Sequence, residues 1–388
     1  MEIFSRQQME SRSWRFCHSM RLSTLAFLFA LVTSLSFADA PQTDTRPGIA
    51  PDIREDEARL KLQRGDFVVV PIPISNPTLD TGLVVGAAYF YSQTEQQKET
   101  QPASVTAIGG MYTNNDSKAL VIGQQNYWRK DTWRFTGAIG AADLRLSLVS
   151  PDESLGGQSI DWRIDGSFLF AKLSRRIAGN WYGGFNIRAV DARQYFEVPA
   201  VTTGFDLGSD VRSSGLGATF EFDSRDLPIN TYSGRYFEVD ALFNDEALGS
   251  DTTYQSYSLA YRSFHQMGDA LVLAWELQGC QRGGTAPLWD SCLVTLRGFP
   301  VTDYLGKQTA SGQLEARWQL NQRWGLVGFA GAGYVGSSFS GIRAYEPIPS
   351  YGAGVRLMVL AAKRINLRID YARSTDSTAI HVSVGEAF

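Results

Sequence analysis

Read for chemistry, this chain offers little to a reaction and much to an ion pair. Past residue 39 its histidines are His265 and His381, too few and too far apart for a zinc site. No Gly-x-Ser-x-Gly elbow is present, and His265 falls at a predicted turn without a nucleophile beside it. No metal, cofactor or catalytic residue is expected, and the chain reads as a non-enzyme. Cys280 and Cys292 form an even pair close in sequence, which suggests a disulfide in an exported protein; two free thiols are the alternative. Closing so short a loop stabilises by about 3 kcal/mol on the chain-entropy model. What remains is a set of charges inside otherwise apolar segments, among them Arg163, Asp165, Glu276, Glu315, Arg317, Arg368 and Asp370.

Such charges need water or partners, because burying a lone ion is costly. The segments that must position them alternate with period two, broken by Gly, Asn, Asp and Ser. Ile365, Leu367, Ile369 and Tyr371 point one way, and Asn366, Arg368 and Asp370 the other. Leu314, Ala316, Trp318 and Leu320 oppose Gln313, Glu315, Arg317 and Gln319, and Leu271, Leu273, Trp275 and Leu277 oppose Ala274, Glu276 and Gln278. Likewise Ile160, Trp162, Ile164, Phe168 and Phe170 are expected outside, with Asp161, Arg163, Asp165 and Ser167 inside. At the chain end Ile380, Val382, Val384 and Phe388 share one face, and His381, Ser383, Gly385 and Ala387 the other. This pattern predicts an all-β, transmembrane antiparallel β-barrel with lipid outside and water inside. A half-buried strand of a soluble β-domain is the alternative for any single segment, but a sandwich core could not hold so many ions. Tyr89, Trp128, Trp181, Trp318, Trp324 and Tyr371 lie near strand ends and fit interfacial girdles.

The amino terminus agrees with export. Arg12, Arg15 and Arg21 precede the apolar run from Leu22 to Phe37, and Ser36-Phe37-Ala38 offers a cleavage site, so residues 1–38 read as a signal peptide. Met20 is an alternative start. The chain's net charge is −4; residues 1–38 hold four arginines and two glutamates, so the mature chain stands at −6. That mild acidity argues against nucleic acid as partner. Beyond Phe37 no apolar run is long enough for a transmembrane helix. Residues 39–66, with Pro41, Pro47 and Pro51 among mixed charges, read as a short, mostly irregular periplasmic lead-in, and residues 67–388 as the barrel.

Sixteen strands are expected, beginning near residues 67, 80, 103, 117, 131, 159, 179, 210, 234, 252, 269, 309, 323, 350, 364 and 378. An even count puts both barrel ends on the periplasmic rim. Connections there should be short, as at Arg129-Lys130, Asn321-Gln322 and Ala362-Lys363. The opposite set is longer, above all from Gln281 to Gln308.

Two segments go beyond barrel grammar. Residues 222–236, carrying Asp223, Arg225, Asp226, Pro228 and Gly234, resemble the DTRDNPFNPTSGRY turn of the bacterial surface antigen family. That family is the barrel part of the BamA/TamA-like outer-membrane assembly superfamily. Leu296-Arg297-Gly298-Phe299 resembles the VRGF/LRGY element of its sixth extracellular loop. Residues 71–82, residues 367–371 and the terminal Gly385-Glu386-Ala387-Phe388 are similar as well, so the likeness runs from about residue 67 to the end. Strand parity places the turn on the periplasmic rim and the loop outside, as in the family. The resemblance implies that Arg297 folds into the lumen to meet Glu315, which matches the family's acidic position on the twelfth strand. Where the family often has an acid on the thirteenth strand, Gly331 stands here, and Asp370 is the substitute candidate. A solvated loop arginine is the alternative.

The resemblance also implies a weak seam between first and last strands, through which substrates enter the membrane. Pro71 and Pro73 lie in the predicted first strand and withdraw N–H donors from one side of it, assigned here to the closing strand; alternatively they precede the barrel. Gly385 loosens the closing strand before the terminal Phe388. Expected partners are outer-membrane lipid, the barrel assembly machinery during biogenesis, and an unfolded barrel or lipid client. The expected location is the cell outer membrane of a Gram-negative bacterium, after signal-peptide cleavage. The family's assembly members carry POTRA domains much longer than residues 39–66, so essential-insertase activity is not implied. A passive channel or structural barrel is the competing reading.

Overall fold

The computed structural model describes residues 65–149, 159–197, 208–228, 230–337, 346–361, 364–375 and 377–388. The expected signal peptide and nearly all of the lead-in lie outside the described residues. Strand-forming alternation begins at once, in β1 (Asp66–Asn76) and β2 (Asp80–Phe90). A short helix, α1 (Glu95–Thr100), follows, with Thr94 and Gln97 forming a capping box at its start. Next come β3 (Val105–Thr113), β4 (Lys118–Trp128), β5 (Trp133–Val149), β6 (Ser159–Ala178), β7 (Trp181–Glu197), β8 (Ser209–Asp223) and β9 (Gly234–Asn244). Then β10 (Tyr254–Met267) and β11 (Leu271–Gly284) precede a long loop containing the two-residue strands β12 (Cys292–Leu293) and β13 (Leu305–Gly306). The wall resumes with β14 (Gln308–Gln319), β15 (Trp324–Gly336), β16 (Ile348–Leu360), β17 (Ile365–Arg373) and β18 (Thr378–Val384).

All strands but β12 and β13 pair antiparallel with their neighbours in the ring, and β18 returns to β1, which closes a sixteen-stranded barrel. The start of β1 and the end of β18 therefore lie at one rim, called here the terminal rim. Among the described residues no helix is long and apolar enough to cross a membrane. The outer face instead carries exposed apolar side chains all round, including Val85, Ile108, Leu120, Phe185, Leu216, Leu314 and Ile369. A belt of that kind requires an apolar solvent, because water against so large an apolar surface is unfavourable.

Two expectations of facing are corrected. In β6 the alternation is inverted: Trp162, Ile164 and Phe168 are buried inside, whereas Asp161, Arg163, Asp165 and Ser167 face outward. The cause is length. β5, β6 and β7 have 17, 20 and 17 residues, more than the ~9–11 that cross a bilayer, so their far ends rise past the apolar belt. Outward charges cost little there, and Arg163 pairs with Asp143 on the neighbouring strand at 2.7 Å. Nearer the terminal rim the outward residues of β6 are Leu169, Leu173 and Ile177, as a belt demands.

The second correction concerns Phe388. It does not continue the outer face of Ile380 but lies in the lumen, because the strand ends at Val384 and the chain turns inward at Gly385. The lumen itself is not uniformly wet. On the β1–β7 arc the inner wall is an apolar cluster, including Ile72, Val84, Met111, Trp162 and Phe168, capped by Leu288 and Trp289 of the long loop. Charges gather on the β8–β17 arc, and Arg134 on β5, Lys172 on β6 and Arg188 on β7 also enter the lumen.

Candidate functional site

The long loop after β11 folds into the barrel. Cys280 on β11 and Cys292 on β12 are joined by a disulfide, with Cα atoms 5.6 Å apart, so the loop's first part is stapled to the wall. Beside it Asp290 is buried and accepts hydrogen bonds from Arg282 Nη2 (3.0 Å), Tyr254 Oη (2.9 Å) and Arg188. Burial would raise its carboxyl pKa, but the guanidinium groups of Arg188 and Arg282 outweigh that and hold it at about 2.

Further along, Leu296 and Phe299 pack with Val294 and Ile348, and Arg297 turns into the wall formed by β14 to β17. Its Nη1 lies 2.8 Å from Asp370 on β17, and its Nη2 meets the Glu315 carboxylate on β14. Nη2 also donates to Gln313 Oε1 at 3.2 Å. On β15 Gly331 brings no acid, but Phe329, directly opposite Glu315, places its ring 3.4 Å beneath the guanidinium. Gly298 has φ +109, and a Cβ there would come within 3.0 Å of the Arg373 backbone, so the tip requires glycine. The Gly298 N–H donates to His381 Nε2 (3.2 Å), and Ser377 Oγ donates to the Gly298 carbonyl (2.7 Å). Val301 N–H donates to Thr78 Oγ1 in the β1–β2 turn. The loop thus grips β18 and the turn that follows β1.

The seam is uneven. All eleven residues of β1 pair with β2, whereas β1 pairs with β18 only at Ser75 opposite Val382. Pro71 and Pro73 sit within β1 without interrupting its ladder to β2. Gly385, at φ +89, adopts a backbone conformation other residues resist, and its N–H bonds to the Asn366 carbonyl at 2.7 Å. The tail then crosses the inner wall. Glu386 accepts from Arg356 Nε (2.8 Å) and Asn366 Nδ2 (2.6 Å), and the Phe388 carbonyl accepts from Arg317 Nη2 (3.0 Å). The Phe388 ring lies 6.1 Å from that of Phe264.

At the terminal rim the β8–β9 turn is tied by its own motif. Asp223 pairs with Arg225 Nε at 2.9 Å, and Arg225 stacks 4.1 Å from the Tyr236 ring. Asp226 accepts from Tyr232 N–H (3.0 Å) and from Arg364 Nη1 (2.6 Å), on the turn before β17. Pro228 borders the lumen, and Gly234 opens β9. Between loop and turn lies a cavity of about 610 Å³, bordered by Thr295 above, by Arg134, Lys172 and Glu221 on the wall, and by Phe388. Among the described residues no cluster of His, Cys, Asp and Glu could hold a metal ion.

Sequence reading singled out Arg297, Glu315 and Asp370, and the structure brings all three together. It missed the roles of Arg317, Arg356 and Glu386, which join the same charges. Arg317 shares the inner face of Glu315, a signal visible in the alternation; nothing local marks Arg356 or Glu386 as its partners.

Fold and loop together define a closed sixteen-stranded barrel whose lumen holds an arginine-bearing loop. No protein-family model and no curated protein matches the chain. Among solved structures, BamA from Haemophilus ducreyi lacking POTRA domains 1–3 is similar at 11% identity and a TM-score of 0.56, over 83% of this chain and 70% of that one. CdiB from Acinetobacter baumannii is similar at 12% identity and a TM-score of 0.57, over 84% of this chain and 60% of that one. CdiB from Escherichia coli is similar at 10% identity and a TM-score of 0.55, over 84% and 68%. The resemblance read from the motifs therefore holds at the level of the fold.

Proposed function

We propose that this chain is an outer-membrane β-barrel of a Gram-negative bacterium whose β1/β18 seam admits a protein or lipid client for insertion or translocation. The observation that carries this reading is the single paired position of that seam beside the eleven of the next hairpin. Unpaired strand edges template further strands and separate easily. Pro71 and Pro73 remove donors that would otherwise strengthen closure. The terminal rim faces the periplasm in this reading, and outer-membrane lipid surrounds the belt.

The test is a seam lock. In proteoliposomes, wild-type protein should accelerate the membrane insertion of an unfolded outer-membrane barrel client or the transfer of a labelled lipid. Oxidised Ser75→Cys/Val382→Cys protein should lose that acceleration, while each single-cysteine protein keeps it. Equal rates with and without the lock would refute the reading. A passive channel is the second reading. The loop folded into the lumen speaks against it, and a large steady conductance would favour it.

A further inference from the structure

The outer wall treats its cations differently at its two rims. Past the belt at the far rim, the outward cations of β4 to β8 are each paired with an aspartate among the described residues, as Arg163 is with Asp143, Arg193 with Asp210 and Arg212 with Asp191. At the terminal rim five exposed cations, Arg129, Lys130, Arg175, Arg235 and Arg323, have no such partner among the described residues. The acids of that rim serve other groups. Asp131 turns inward to Arg134 and Arg176, Asp226 holds Arg364, and Glu95 pairs with Lys98. Glu99 and Asp269 are exposed there too, but neither pairs with any of the five.

Three of the five gather where β4, β5 and β6 meet that rim. In the ladders Trp128 lies opposite Trp133, and Trp133 opposite Arg175. The Arg175 guanidinium lies 5.5 Å from the centre of the Trp133 ring. On β6 it stands between Leu173 and Ile177, both exposed on the outer face, so this charge is set into the edge of the belt itself. Arg129 and Lys130 follow Trp128 in a turn whose three successive residues Arg129, Lys130 and Asp131 have φ of +53, +58 and +59. Left-handed backbone is costly for residues other than glycine. Here it is fixed by two bonds: Lys130 N–H donates to Gln101 Oε1 (3.0 Å), and Thr132 Oγ1 donates to the Arg129 carbonyl (2.7 Å). The turn thereby sends its acid inward and leaves its two cations outside.

We propose that Arg129, Lys130 and Arg175, flanked by Trp128 and Trp133, bind the headgroup of an anionic phospholipid. The belt requires acyl chains against Leu173 and Ile177, so the headgroups of those lipids lie level with the three cations. Phosphate oxygens accept well from guanidinium and ammonium groups, and each basic residue beside an anionic leaflet adds to the attraction. A zwitterionic headgroup brings its own ammonium and leaves the three charges unbalanced. The indoles suit the same depth, with an apolar body and a polar edge. This inference rests on the reading above for the lipid around the belt and for the periplasmic, phospholipid side of the terminal rim. Its test counts bound lipid rather than inserted client, so either can fail alone.

Folded full-length protein in nonionic detergent is offered equal amounts of phosphatidylglycerol and phosphatidylcholine with identical acyl chains, and the retained lipid is counted by native mass spectrometry. The wild type should retain phosphatidylglycerol several-fold over phosphatidylcholine. The variant Arg129→Gln/Lys130→Gln/Arg175→Gln should bring the two lipids close to parity, and Arg175→Gln alone should lose part of the preference. The variant Arg163→Gln/Arg193→Gln/Arg212→Gln removes as much positive charge, but from paired cations at the far rim, and should keep the wild-type preference. Equal retention of the two lipids by the wild type overturns the proposal. So does an undiminished preference in both terminal-rim variants, or an equal loss in the far-rim variant, which would make the effect one of net charge.

Discussion

Arg297 has three kinds of partner at once, namely two carboxylates, an amide and an aromatic face, and a buried guanidinium needs that many to offset its lost hydration. Removing one member leaves the others stranded. Arg297→Ala or Glu315→Gln should therefore cost about 3–5 kcal/mol, the range for breaking a buried pair from one side. The midpoint of denaturant unfolding in detergent measures it, and a loss below about 1 kcal/mol would mean that water already shares the site. Arg297→Lys should fall between, because an ammonium cannot fork toward Asp370 and Glu315 together. Glu315 was legible from sequence because parity places it inward and the loop motif points at it. Glu386 was not, since a carboxylate two residues before Phe388 reads as solvated until its partners on β14, β16 and β17 are known.

At the scale of elements, β1 carries the clearest asymmetry. Its edge toward β2 is bonded throughout, and its edge toward β18 is bonded at one place. Hydrogen–deuterium exchange should find Phe67 and Val69, on the same side as the donors Pro71 and Pro73 lack, exchanging much faster than Leu83 to Ala88 on β2, although both strands lie in the same belt. Equal, strong protection in the two would remove the basis for an open seam. β6 shows why the facing of an element escapes a sequence reading. Its two halves meet different solvents, lipid near the terminal rim and water beyond the belt, so apolar residues belong outside in one half and inside in the other. Alternation says that two faces differ; it does not say which one a neighbouring loop will cover. Here Leu288 and Trp289 made the face of Trp162 and Ile164 the buried one.

For the whole molecule the decisive feature is a barrel blocked from within. With the loop stapled at Cys280–Cys292 and pinned at Arg297, single-channel recordings should show small, brief openings rather than steady current. Acid should make them rarer. Asp303, at the end of the 3-10 turn Val301–Asp303, has its carboxyl pKa raised by burial to about 6. A raised value in the docked state means that docking favours the protonated form. That stabilisation is full below the ordinary carboxylate range and is lost as pH climbs through about 6. Openings should be less frequent at pH 5 than at pH 7.5, and Asp303→Asn should flatten the difference; an unchanged slope in that variant would assign it to other groups.

The number of strands, their starts to within a few residues and the closed antiparallel ring were set by the sequence itself. A period-two pattern is local, and each strand carries its own copy of it. The loop motif and the inward carboxylate at Glu315 were likewise readable, because parity is counted along the chain. Packing decided the rest. It gave the β1–β7 arc an apolar cluster under the long loop, turned the tail inward at Gly385, and gathered charges from a loop, three strands and the tail into one buried network. Those outcomes depend on which residues far apart in sequence share a small volume from which water is excluded, and only the tertiary structure sets that.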